Sequence, residues 1–252
     1  MQFNKKKFLF VIVSLVLVVA LSLLNYKTGA SLVYLNASSR KLPIYSVDRN
    51  DDKISISFDC AYGADYTVEL LDVLDKYNVK WTFFAVEFWV KKYTELVVEI
   101  INRGHEIGTH SKTHPNMSKL NKTQIKEELE SSINAITALT NGAITLFRPP
   151  YGDYDNEVIE VAESLNLYTI QWDVDSLDWK NLSASEIASR VINKTKSGSI
   201  ILCHNNGLHT AKALPTILAT LQEKGYEFVP ISELIYKQNY TIDSFGVQHE
   251  KG

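Results

Sequence analysis

A chain of 252 residues, 45% hydrophobic and 22% charged, can bury one large core and carry a short extra segment. Its net charge of −3 and the lack of a long basic run argue against a nucleic-acid partner. The 13 tyrosines and 4 tryptophans suit a carbohydrate-binding face, although aromatic residues also fill cores.

The N-terminus reads as an export signal. Lys5, Lys6 and Lys7 precede an apolar run from Phe8 to Leu24. That run is near the lower limit for a bilayer span and long for a signal-peptide core. Lysines on that side favour a cytoplasmic N-terminus and export of the chain beyond the run. Residues 1–30 are therefore expected to be a signal anchor or signal peptide, with the rest outside the cytoplasm. Residues 31–50 are polar and irregular and read as a tether or as a cap over a barrel floor.

From residue 51 the pattern is regular. Lys53 to Asp59 alternates as a strand. Residues 66–77 carry Val68, Leu71 and Leu74 at helical spacing, with Asp65 placed as their N-cap. Val79 to Val86 reads as a strand and 89–103 as a helix. A short strand-like run, Glu106 to Gly108, leads into His110 and His114. The longest helix is expected over Lys122 to Thr140, on the stripe Ile125, Leu129, Ile133, Ile136 and Leu139, stopped by Gly142. Ile144 to Phe147 is a strand running into Arg148-Pro149-Pro150-Tyr151. Residues 155–165 read as a helix and Leu167 to Trp172 as a strand ending in acids. Ser183 and Glu186 form a capping box for a helix to about Asn193. Ser199 to Leu202 is a strand ending at His204, followed by a helix over 209–224. A last strand, Tyr226 to Val229, and a helical turn from Ile231 end the domain near 238. Residues 239–252 read as a tail in which His249 has no visible organisation.

Strands alternate with helices about seven times, which predicts a parallel α/β fold, a barrel or a doubly wound sheet. The turn after the first strand has a single glycine, Gly63, so a nucleotide-binding glycine loop is not indicated. The chemically capable residues fall just after predicted strands: Asp59, His110 with His114, Arg148, the acids from Asp173 to Asp178, and His204. In a parallel barrel those strand ends share one face, where active sites are built. Two imidazoles four residues apart can share one metal ion, with Zn, Co and Ni as candidates.

These segments resemble the polysaccharide deacetylase family, the NodB homology domain of carbohydrate esterase family 4. The motifs are Ser57-Phe58-Asp59, His110-x3-His114, Arg148-Pro149-Pro150-Tyr151, Asp175-Ser176-Leu177-Asp178-Trp179 and Leu202-Cys203-His204. The resemblance covers residues 51–238. It implies a deformed (β/α) barrel of about seven parallel strands and metal-dependent removal of N-acetyl groups from a glycan such as peptidoglycan or chitin. O-deacetylation is an alternative use of the same groups.

The resemblance assigns Asp59 as general base and His204 as general acid. Arg148 would hold Asp59 ionised. Asp175 or Asp178 would orient His204 and raise its pKa. Tyr151 would lend its backbone N–H to the oxyanion, and Trp179 and Leu202 would wall the acetyl pocket. His110 and His114 would hold a divalent metal, zinc first, with cobalt or nickel possible.

One position departs from the family. A second acid, a metal ligand, usually comes directly after the base, and here that residue is Cys60. Cys60 could serve as a thiolate ligand. Asp59 or Asp65 could take over instead. Alternatively the site has lost tight metal binding, and the protein binds glycan without turnover. Cys203 precedes an inward His204 on an alternating strand, so a Cys60–Cys203 disulfide is not expected.

Overall fold

The computed structural model describes residues 40–140 and 142–251. The predicted signal anchor, residues 1–30, lies outside the described residues. Among the described residues no helix is long and apolar enough to cross a membrane. From Leu42 to the C-terminus the chain forms one unit.

That unit is built on β2 (Lys53–Cys60), whose side chains are almost all buried. It pairs in parallel with β3 (Thr82–Ala85) on one side and β8 (Ile200–His204) on the other. Beyond β3 lie β4 (Glu106–Thr109), β5 (Leu146–Phe147) and β6 (Tyr168–Thr169). Beyond β8 lies β7 (Val174–Asp175). The order β6-β5-β4-β3-β2-β8-β7 is parallel throughout, a deformed (β/α) barrel as the resemblance implied. Short β9 (Glu227–Phe228) pairs with the start of β2.

β6 and β7 sit at opposite ends of this order yet are joined by only residues 170–173, with no helix between them. The chain therefore crosses the open side of the barrel directly. The predicted strand, Leu167 to Trp172, shortens to β6 and the first residues of this crossing. Asp173 anchors it: its carboxylate accepts from the Ile200 N–H at 2.9 Å and the Ser199 hydroxyl at 3.0 Å.

The helices cover the outside. They are α1 (Thr67–Lys76), α2 (Glu87–Lys92), α3 (Thr94–Asn102), α4 (Lys122–Thr140), α5 (Asn156–Ser164), α6 (Ala184–Lys194), α7 (Thr210–Glu223) and α8 (Ile231–Leu234). The helix expected over 89–103 is two helices, broken at Tyr93, whose φ of −121° and ψ of 44° are not helical. The Ser183–Glu186 capping box is present at the start of α6. Asp65 does not cap α1, whose N-cap is Tyr66. A large apolar cluster fills the space between sheet and helices. A smaller one joins Ile44, Val47, Phe84, Leu146, Ile200 and α8.

Two boundaries differ from expectation. The segment read as a tether or as a cap over the barrel floor is folded from Leu42 onward, and Ile44 and Val47 are buried. The segment read as a tail forms a hairpin, β10 (Tyr240–Ile242) and β11 (Val247–Glu250), and β11 pairs in parallel with β1 (Ser46–Val47). Gly198 admits β1: a Cβ there would sit 1.7 Å from the Val47 carbonyl oxygen, and its φ is +78°. His249 is organised after all. Its Nδ1 faces Asp48 at 2.9 Å and its Nε2 faces Asp243 at 3.1 Å. Both nitrogens can donate only in the imidazolium form, and the Asp243 and Asp48 carboxylates raise its pKa accordingly.

Candidate active site

A cleft of about 840 Å³ opens at the C-terminal ends of the strands. The β2–β8 register sets Asp59 directly beside His204. The loop after β4 brings in His110 and His114, and the loop after β5 brings in Arg148 and Tyr151. Five non-glycine residues in loops around the cleft have left-handed backbone: Ser111, His114, Tyr151, Leu177 and Asn181. Such conformations cost about 1 kcal/mol or more each and concentrate at functional sites.

Asp59 is buried and held from below. Fully buried Arg148 donates to Asp59 Oδ1 at 2.8 Å, to Ser57 Oγ at 2.7 Å and to the Gln171 carbonyl at 3.1 Å. The guanidinium also lies 4.2 Å from the centre of the Phe84 ring. Burial alone would raise the Asp59 pKa, but Arg148, His110 and His204 outweigh it and hold the carboxyl below the usual range. Asp59 is therefore a carboxylate at neutral pH.

His204 is paired with a different acid. Its Nδ1 donates to Asp178 Oδ1 at 2.7 Å. Fully buried Asp178 also accepts the His204 backbone N–H at 2.8 Å and the Thr210 hydroxyl at 2.7 Å through Oδ2. Gly207 leaves room for this closure, since a Cβ there would meet Thr210 Oγ1 at 2.1 Å and Asp178 Oδ2 at 2.9 Å. Burial opposes protonation of His204, yet the hydrogen bond and charge of Asp178 win and raise its pKa. Of the two acids expected beside His204, Asp178 is the one hydrogen-bonded to its ring. Asp175 lines the cleft, and its Oδ1 accepts the Leu177 N–H at 2.8 Å instead.

His110 and His114 meet with ring centres 4.9 Å apart. His110 Nδ1 donates to the Arg148 carbonyl at 2.7 Å, which leaves Nε2 with its lone pair, 3.5 Å from Asp59 Oδ2. Burial lowers the pKa of both rings, that of His114 to about 4, so both rings are neutral at pH 7. Buried His114 Nδ1 has no hydrogen-bond partner among the described residues.

Cys60 does not join them. Its thiol is fully buried in the apolar cluster, and its polar contact is the Phe58 carbonyl at 4.0 Å. The pleat is the reason: Asp59 points into the cleft, so Cys60 points to the helix layer. Burial pushes its pKa well up, away from the thiolate that a metal needs. The thiolate-ligand expectation for Cys60 is thereby corrected. Cys203 faces the same layer, and both cysteines are free. Among the described residues no three His, Cys, Asp or Glu side chains are grouped to hold a metal ion. The residues fit a metal at two positions, one short of the three protein ligands of a catalytic zinc site.

Trp179, Leu202 and Tyr151 line the cleft. Tyr62, Tyr66, Trp172, Asn206 and Leu208 line it too and were missed. Tyr62 packs against Phe88 at 5.5 Å and against His114 at 5.8 Å between ring centres. Its place in the loop after β2, on the catalytic face, was the available signal. His105 is a buried packing residue whose Nδ1 accepts the Trp81 N–H at 3.2 Å.

A family model for polysaccharide deacetylases matches residues 46–170. The chain is 33% identical over 193 residues to YlxY, an uncharacterized protein of Bacillus subtilis, covering 77% of this chain and 60% of that one. It is 32% identical over 196 residues to a peptidoglycan-N-acetylglucosamine deacetylase of Bacillus cereus, covering 76% of this chain and 92% of the relative. Among solved structures, a CE4 family pseudoenzyme from Bacillus anthracis matches with a TM-score of 0.75 at 33% identity, covering 83% of this chain and 73% of that one. A mutant of that pseudoenzyme with restored enzymatic activity matches with a TM-score of 0.75 at 36% identity, covering 78% and 72%. Deacetylases of this family are generally metal-dependent. On this similarity, and with its motifs gathered in one cleft, the chain belongs to the polysaccharide deacetylase family, carbohydrate esterase family 4.

Proposed function

We propose that this protein removes acetyl groups from the N-acetylated sugars of a cell-wall glycan outside the cytoplasm. The observation that carries this reading is the separately buttressed acid–base pair. Asp59 is kept ionised by Arg148, while Asp178 favours the protonated form of His204. Mere binding of a sugar needs neither.

In this reading Asp59 takes a proton from the attacking water as oxygen bonds to the acetyl carbon. His204 then gives its proton to the sugar nitrogen, the C–N bond breaks, and acetate and a free amine leave. Each proton transfer is worth roughly 10²- to 10⁴-fold in rate. Tyr151 is the candidate for the oxyanion contact, and Trp179 and Leu202 wall the acetyl methyl. The same reading puts a divalent metal, zinc ahead of cobalt and nickel, on His110 and His114 as a weakly held ion. Neither proton transfer is routed through it. The kinship with peptidoglycan deacetylases supports a wall glycan as substrate.

A second reading is glycan binding without turnover. The core-facing Cys60 favours it, as does the likeness to a pseudoenzyme. Acetate release from N-acetylated peptidoglycan and chitooligosaccharides separates the two. Full-length protein is stripped of metal, then given zinc, cobalt or nickel, beside an Asp59→Asn control. Release that the control abolishes supports the deacetylase. Glycan affinity with no release under any metal leaves the binding module.

A further inference from the structure

His110 and His114 are oriented in different ways. His110 Nδ1 donates to the Arg148 carbonyl at 2.7 Å, so that ring is fixed by a hydrogen bond of its own. His114 Nδ1 has no hydrogen-bond partner among the described residues. The direction of the His114 ring is set by its backbone and by neighbouring rings, Tyr151 at 4.5 Å and His110 at 4.9 Å between centres. That backbone is left-handed, with a φ of +60°, and so is that of Ser111, with a φ of +72°. A turn through two such residues does not hold its shape by local preference.

The loop is held from α4. Two of its amides are satisfied locally: the Ser111 N–H donates to Thr109 Oγ1 at 3.2 Å, and the His114 N–H to Ser111 Oγ at 3.0 Å. The two amides between them, of Lys112 and Thr113, both donate to Glu128 Oε2, at 2.9 and 2.8 Å. The Thr113 hydroxyl donates to Glu128 Oε1 at 2.7 Å. One helical turn further on, buried Ser132 accepts the Thr109 hydroxyl at 2.7 Å. α4 is a firm support, because Ile125, Leu129 and Ile136 bury it against the core. The link from Lys112 Nζ to Glu127 is exposed and adds little.

Resting on the reading that His110 and His114 hold a metal ion, we propose that Glu128 is the positioning residue for His114. It fixes the turn at Lys112 and Thr113 and so presets the His114 ring beside His110 before any metal arrives. Glu128 itself lies outside the wall of the cleft.

The test compares full-length wild type with Glu128→Ala, Glu128→Asp and Glu128→Gln. Glutamine can replace all three bonds: its carbonyl accepts the two N–H groups, and its amide donates to the Thr113 hydroxyl. Aspartate keeps the carboxylate but is one methylene short. In metal-free protein, Glu128→Ala should speed amide exchange at Lys112 and Thr113 about tenfold. The NMR signals of the His114 ring should move toward those of free histidine while those of His110 stay in place, a selectivity that general destabilisation would not give. Zinc affinity by calorimetric titration should fall about tenfold. Aspartate should lie between alanine and wild type, and glutamine should match wild type. If Glu128→Ala does not fold, the aspartate and glutamine variants decide by the same readouts. Unmoved His114 signals, or variants that all behave alike, overturn the proposal. Failure of wild type to bind zinc overturns the metal reading instead, and the ring signals still decide the role of Glu128.

Discussion

Replacing Arg148 by methionine tests a fully buried charge. The guanidinium is fully buried, and its donors reach Asp59, Ser57 and the Gln171 carbonyl. Methionine can keep the contact with Phe84 but leaves the Asp59 carboxylate without its cation. Breaking a buried pair in this way costs about 3–5 kcal/mol. That is a large part of the roughly 5–15 kcal/mol that holds a domain together. The variant's unfolding midpoint in urea should fall accordingly at pH 7, followed by tryptophan fluorescence.

The cost should depend on pH. In the wild type the folded Asp59 pKa is depressed, so its stabilisation is present above the unfolded carboxylate value, about 4, and is lost as pH falls through the folded value. Without Arg148, burial is opposed less, and the folded pKa rises. The deficit should therefore be smaller at pH 5 than at pH 7. Adding Asp59→Asn removes the stranded charge, so the double variant should recover about 2 kcal/mol of the loss. A single variant that loses under about 1 kcal/mol, or a double variant whose losses simply add, would refute the argument that Arg148 exists to neutralise Asp59.

Two further substitutions probe the same geometry. Asp178→Asn removes the charge that keeps His204 protonated, so the alkaline limb of the acetate-release profile should move to lower pH and the rate should drop by about 10²-fold or more. An unmoved limb would take the general-acid role away from His204. Cys60→Asp puts a carboxylate among apolar side chains and should cost about 3 kcal/mol or more in metal-free protein, read from thermal melts. A metal-free variant as stable as wild type would mean that position 60 can turn to the cleft.

The catalytic face was legible because strand ends announce themselves locally. Alternation from Lys53 to Asp59, and apolar runs stopped by His110, Arg148 and His204, place those residues without any long-range information. The same pleat that directs Asp59 inward also directs Cys60 outward, so the core position of Cys60 was readable from parity. The family analogy pulled the reading the other way. The choice of Asp178 over Asp175 was not readable, since it depends on the left-handed turn at Leu177 and on Thr210 arriving from α7. Tyr62 and Leu208 escaped for a related reason: a loop residue shows its direction only once the barrel has closed. The hairpin at 240–250 was invisible because its partner, β1, lies some 200 residues away in sequence.

That hairpin bears on how the protein can be cut. A recombinant fragment ended at residue 238, where the deacetylase motifs run out, would strip β1 of its sheet neighbour. It would also remove fully buried Gln248, whose amide accepts the Tyr236 N–H at 2.9 Å and donates to the Tyr236 carbonyl at 2.7 Å. Tyr236 comes just after α8, which packs in the smaller apolar cluster with Ile44 and Val47. The last dozen residues are thus the keystone of the barrel floor, and an affinity handle belongs after Gly252 rather than in their place.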